Sequence, residues 1–141
     1  MYEEYTRQSL PSRKYRELLG SAICVFNSNN AFIIENILRN DENNRFNWHE
    51  LIDYTSGELS QPIKETITRL SDTKITSRFS EVIEMRNRII HSFQITDGDG
   101  KQTLATKRKN GEQFIITETY LYDFIKKNEE LSVLLHEFRG F

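Results

Sequence analysis

The chain predicts an all-α domain: a bundle of about five helices with one β-hairpin inserted before the last. Three observations carry this. Apolar residues recur at steps of three and four along most of the length, the mark of a helix with one buried face. Gly and Pro are scarce, six and two in 141 residues, so little interrupts those stripes. One Asn-Gly pair, Asn110-Gly111, separates two short extended runs, Gln102 to Lys107 and Glu112 to Thr117. Asn-Gly between strand-like runs is a strong short-range hairpin signal. The length suits one domain, residues 1–141, which buries roughly two-thirds of its unfolded surface without a disulfide or metal.

The first helix is expected to be long, with Ser12 as cap just after Pro11. Its stripe is Tyr15, Leu18, Leu19, Ala22, Val25, Phe26, Ile33, Ile34, Ile37 and Leu38. The middle reads Asn27-Ser28-Asn29-Asn30, and Asn29 and Asn30 fall on the stripe itself. Two readings stay open there: a kink or solvated gap, or polar groups lining a cleft. Asn40 to Arg45 is a polar loop. Asn47 with Glu50 resembles a capping box, and Phe46 and Leu51 sit where a hydrophobic staple would pack. Gly57 is expected to end this short second helix. Pro62 opens the third, with Ile63, Ile67 and Leu70 as its stripe.

Ser77 is the expected cap of the fourth helix, whose apolar face is Phe79, Val82, Ile83, Ile90 and Phe93 with Ile89 beside it. Asp97-Gly98-Asp99-Gly100 is expected to stop it. The hairpin, about 101–117, comes next. The last helix starts near Thr117, ends before Gly140, and buries Leu121, Phe124, Ile125, Leu131, Leu134, Leu135 and Phe138. Glu118 and Arg139 complement its dipole.

Charge and composition exclude several classes. A net charge of -2 and a pI of about 6.0 lack the basic surplus of a dedicated nucleic-acid binder. Contact with a polyanion must come from a local patch, and the candidate is Lys107-Arg108-Lys109 at the hairpin tip with Lys101 nearby. The longest apolar run, Ala22 to Phe26, is far short of the ~20 residues of a membrane span. Acids near the N-terminus stand where a signal peptide has bases. A single cysteine, Cys24, allows no intrachain disulfide. The expectation is a cytoplasmic protein without an anchor. His49, His136 and Cys24 show no metal-ligand spacing, so no metal and no cofactor is expected. Asp97-Gly98-Asp99-Gly100 reads as a turn, because Lys101 stands where a calcium loop wants a ligand.

The most site-like segment is Glu84-Met85-Arg86-Asn87-Arg88-Ile89-Ile90-His91. Asn87 and His91 are i and i+4 and share a face. Arg86 lies about 140° around from His91 and falls on the apolar stripe, where a charge is costly unless paired. Arg88 can pair with Glu84. Arginine, a polar residue and then histidine, on the penultimate helix of a small bundle, resembles the HEPN domain family, whose pattern is Arg, four to six residues, His, with a polar residue favoured after the arginine. Arg86, Asn87 and His91 match it, and the likeness can cover about Ser12 to Phe138, with the hairpin as an addition.

The resemblance implies a homodimer that joins two motif helices at a shared cleft, and a metal-independent endoribonuclease of defence, toxin–antitoxin or stress systems. It equally allows a silent module that binds a protein partner or nucleotide, and a purely structural helical dimer remains a third reading. In the active case the RNA 2′-hydroxyl attacks the adjacent phosphate. His91 moves the proton, Arg86 stabilises the phosphoryl charge, and Asn87 orients His91 or the phosphate. The products are a 2′,3′-cyclic phosphate and a 5′-hydroxyl. One HEPN toxin class has a tyrosine two places after the histidine, modified by a nucleotidyltransferase antitoxin; Phe93 stands there, so that pairing is not implied.

Overall fold

The computed structural model describes residues 1–140. It is mostly helical, with five α-helices and a small antiparallel sheet. Helix α1 is Arg13–Arg39, α2 Trp48–Asp53, α3 Ser60–Ile63, α4 Lys74–Ile90 and α5 Glu118–Arg139. The strands β1 (Phe93–Thr96), β2 (Gln102–Lys107) and β3 (Gln113–Ile116) lie between α4 and α5 and pair in the order β1-β2-β3.

Capping chemistry sets most helix ends. The Ser12 hydroxyl accepts the Tyr15 N–H, Asn47 Oδ1 accepts the Glu50 N–H, and the Thr117 hydroxyl accepts the Tyr120 N–H. Each satisfies an amide that the first helical turn leaves without a partner. Gly140 closes α5 with φ 91°, a left-handed conformation that suits glycine at this position.

Helices α1, α4 and α5 form the body. Lys14 pairs with Glu118, Asn29 with Asn128 and Glu35 with Arg139, so α1 and α5 run parallel. Arg78 pairs with Glu130 and Lys127 with Glu81, so α4 runs antiparallel to α5. Phe26 stands at the junction of the three, with ring centroids 6.3 Å from Phe79 and 6.2 Å from Phe124. Leu51, Leu59, Ile63 and Ile67 close the core at the α2–α3 end. The sheet closes the other end: Ile116 is buried and its carbonyl accepts the Tyr15 hydroxyl at 2.6 Å.

The polar stretch in α1 causes no break; the helix is continuous for 27 residues. Asn29 is only 5 % exposed, and its Nδ2 donates to the carbonyl (2.8 Å) and to Oδ1 (3.0 Å) of Asn128. Nδ2 of Asn128 donates to the Phe124 carbonyl at 2.9 Å. A buried amide pair between parallel helices favours one axial register, because sliding either helix breaks both bonds from Asn29 Nδ2 and takes the donor from Asn128 Oδ1. Asn30 points elsewhere and accepts from the Ser56 hydroxyl.

Several expectations are corrected. Helix α4 starts at Lys74, one turn before Ser77, which lies inside it; the Lys74 N–H is met by the Asp72 carboxylate instead. Gly57 does not end α2, which stops at Asp53; it opens a short 3-10 turn, Gly57–Leu59. Pro62 does lie in the first turn of α3, as its third residue, but the helix continues as a π-helical segment, Lys64–Thr68. Leu70 is exposed, beyond the reach of the core. Asp97 to Gly100 does not stop α4. The helix ends at Ile90, and those residues instead turn β1 into β2, so the expected hairpin is two strands of a three-stranded sheet. Ile90 and Phe93 are therefore surface residues, 50 % and 44 % exposed. Phe93, Ala105 and Ile115 lie opposite one another across the strands and share one sheet face.

Candidate functional site

The last turns of α4 and the joint to β1 carry Arg86, Asn87 and His91. The helix stops because the chain must turn into a strand. His91 is its C-cap, with its N–H bonded to the Asn87 carbonyl at 2.9 Å, and the Ser92 hydroxyl takes the Ile89 carbonyl at 2.7 Å. The His91 side chain is exposed at this joint.

Arg86 lies on the inner side. Its guanidinium carbon sits 4.9 Å from the centroid of the Phe26 ring, and the side chain is half-buried. Burial pulls its pKa below the usual guanidinium value. A cation over an aromatic face recovers part of that desolvation, and an arginine stays charged in any case. Its Nε is sealed from solvent with no acceptor, and among the described residues no carboxylate or carbonyl pairs with the group. Asn87 is half-buried, and its side chain makes no hydrogen bond among the described residues.

One chain does not bring these three groups together. Helix α4 is regular through Ile90, so the angle of about 140° between Arg86 and His91 persists. Arg86 faces the core seam beside α1, and His91 faces solvent.

The neighbouring charges are arranged differently. Arg88 pairs with Glu84 at 3.6 Å, as the spacing suggests, and its Nη1 also donates to the Lys107 carbonyl on β2. Arg108 approaches Glu84 at 3.7 Å and Glu112 at 3.6 Å, and lies over the Phe114 ring at 4.6 Å. Of the expected basic patch, Arg108 is thus occupied with carboxylates, while Lys101, Lys107 and Lys109 are exposed and make no ion pair among the described residues. Glu84, read from the sequence as a partner of Arg88 alone, serves two arginines and ties the β2–β3 turn to α4.

Among the described residues no group of three or more His, Cys, Asp or Glu converges. The Asp97 carboxylate accepts the N–H groups of Asp99 and Lys101, each at 2.9 Å, which is turn chemistry. No described helix is long and apolar enough to cross a membrane.

Comparison with family models, with curated proteins and with solved structures found no match for this chain.

Proposed function

We propose that the chain is a HEPN-like, metal-independent endoribonuclease that works as a homodimer in a defence, toxin or stress setting. The observation that carries this reading is Arg86: a half-buried guanidinium without an acceptor, on the same helix end as an exposed histidine. An uncompensated cation is costly to keep, and a phosphate is the partner it fits best. His91 takes the proton of the RNA 2′-hydroxyl or returns one to the departing 5′-oxygen. Arg86 meets the charge that builds on the phosphoryl oxygens, and Asn87 orients the phosphate or the imidazole. A second copy supplies what one chain separates, since His91 of one protomer can then face Arg86 of the other. Lys101, Lys107 and Lys109 supply the cationic surface for the strand.

The test is RNA cleavage in EDTA with product ends mapped. The expected result is cleavage that survives the chelator and leaves a 2′,3′-cyclic phosphate. His91→Ala should reduce it by about 10²- to 10⁴-fold. Absence of cleavage, or equal cleavage by both proteins, rejects the reading.

One observation favours a second reading. Ile90 and Phe93, next to His91, are exposed and apolar. An apolar rim suits a protein partner, including an antitoxin, better than RNA. In that case the motif is a silent docking module, and cleavage is absent while a complex forms.

A further inference from the structure

The polar stretch in the middle of α1 has no part in the reading above. Ser28 and Asn29 instead line an open concavity of about 670 Å³ between the C-terminal halves of α1 and α5, at the opposite end of the body from the sheet. That volume lies within the range of roughly 300–1,000 Å³ typical of small-molecule sites. We propose that this groove binds a flat aromatic carboxylate bearing a ring N–H, an indole acid being the simplest member of the class.

Three features point there. The first is aromatic surface. The rings of Phe32 and His136 stand 4.6 Å apart, and Trp48 from α2 forms part of the same wall although 42 % exposed. Large exposed aromatics around a concavity offer stacking area to a flat ring. The second is charge. Arg39 lines the groove, is exposed, and pairs with no carboxylate among the described residues. Arg139 is different: it pairs with Glu35 at 2.8 Å and lies over Phe32. That pair carries one charge of each sign, so among the described lining residues Arg39 adds a cation without a carboxylate partner. The C-termini of α1 and α5 meet at this end, and their partial negative charge opposes an anion. It amounts to about half a charge each and fades within a turn, while Arg39, Arg139 and His136 all lie in those last turns. A single carboxylate fits this balance better than a doubly charged group.

The third feature is an acceptor, reached by solvent, on a side chain that is otherwise buried. Asn29 is 5 % exposed and uses Nδ2 on Asn128, but its Oδ1 accepts nothing from the described residues. An amide oxygen fixed in a mostly apolar groove is a ready partner for a ring N–H. Ser28 and Ser132 also line the groove.

The test uses the single tryptophan as its reporter. Trp48 gives one side-chain N–H resonance, and it belongs to the groove. Indole-3-acetate should shift that resonance with saturation below millimolar concentration. Indole-3-ethanol, a neutral analogue of nearly the same shape, should bind about tenfold more weakly, and acetate should leave the signal in place. N-methylindole-3-acetate, which lacks the donor, should lose about fivefold. Arg39→Ala, an exposed change that leaves the core intact, should remove the preference for the acid without altering the alcohol. A resonance that stays fixed at several millimolar acid overturns the proposal. Equal binding of acid and alcohol, or a preference that survives Arg39→Ala, overturns it as well. Neither result bears on RNA cleavage, because none of these residues lies near the α4 motif.

Discussion

Two places put polar side chains where the stripes call for apolar ones, and they resolve in opposite ways. Asn29 on α1 meets Asn128 on α5, and the contact is hydrogen-bonded on both helices. Arg86 on α4 meets the face of Phe26 and no acceptor. Asn29 and the Nε of Arg86 are both withdrawn from water. The difference lies in the buried donors: Asn29 Nδ2 is paired and holds two helices in register, whereas Arg86 Nε has no acceptor.

The sharpest way to break this contrast is at Arg86. Arg86→Met should abolish cleavage, with a loss on the order of 10²-fold or more, yet leave stability unchanged or raised by up to about 1 kcal/mol, since an apolar side chain can lie on Phe26 without desolvating a charge. RNA cleavage and urea denaturation read the two effects separately. A variant destabilised by several kcal/mol would make Arg86 structural and erase the contrast. Asn29→Ala should show the converse. It strands Asn128 in the seam and should lower stability by about 1–3 kcal/mol, with the motif untouched; chemical denaturation measures it. Loss of cleavage at unchanged stability would reverse the two roles.

A third prediction concerns pH. Burial raises the Tyr120 pKa to about 12. The unfolded side chain ionises near ~10, so between those values the unfolded state binds fewer protons. Stability conferred by the neutral phenol is complete below pH ~10 and is lost as pH rises towards 12. Thermal unfolding over that range should show the decline, and Tyr120→Phe should flatten it. The smallest effect is expected at the exposed tie between α4 and the hairpin. Glu84→Gln weakens the contacts of Arg88 and Arg108 and should cost a few tenths of a kcal/mol, diminishing in high salt.

Helix starts were legible where a side chain caps its own helix, as at Ser12, Asn47 and Thr117, because that chemistry is local. The start of α4 was not, since Ser77 looks like a cap and the working acceptor, Asp72, precedes it. Strand β1 was hidden because Phe93 continues the helical spacing of Ile83 and Ile90, and four residues are too few for an alternation to stand out. The π-helical segment 64–68 is a change in backbone hydrogen bonding that the side-chain period does not report. At the candidate site, the conflict between the charge of Arg86 and its stripe was visible in the residues. Phe26 beneath it was not, nor was Asn128 opposite Asn29, since both partners are distant in the sequence and only packing unites them.

The parallel pairing of α1 with α5 has a consequence for how the molecule is made. The first and last helices share the largest helix–helix contact of the fold, and Tyr15 reaches a carbonyl 101 residues further on. A chain growing on the ribosome therefore holds a finished α1 with the α5-facing part of its apolar stripe uncovered until α5 emerges. Closing that contact spans nearly the whole chain and comes late. Until then Phe26, on which Arg86 rests, lacks its contact with Phe124, so the nascent chain has no fully assembled site. Any nuclease activity would be withheld until translation of the last helix is complete.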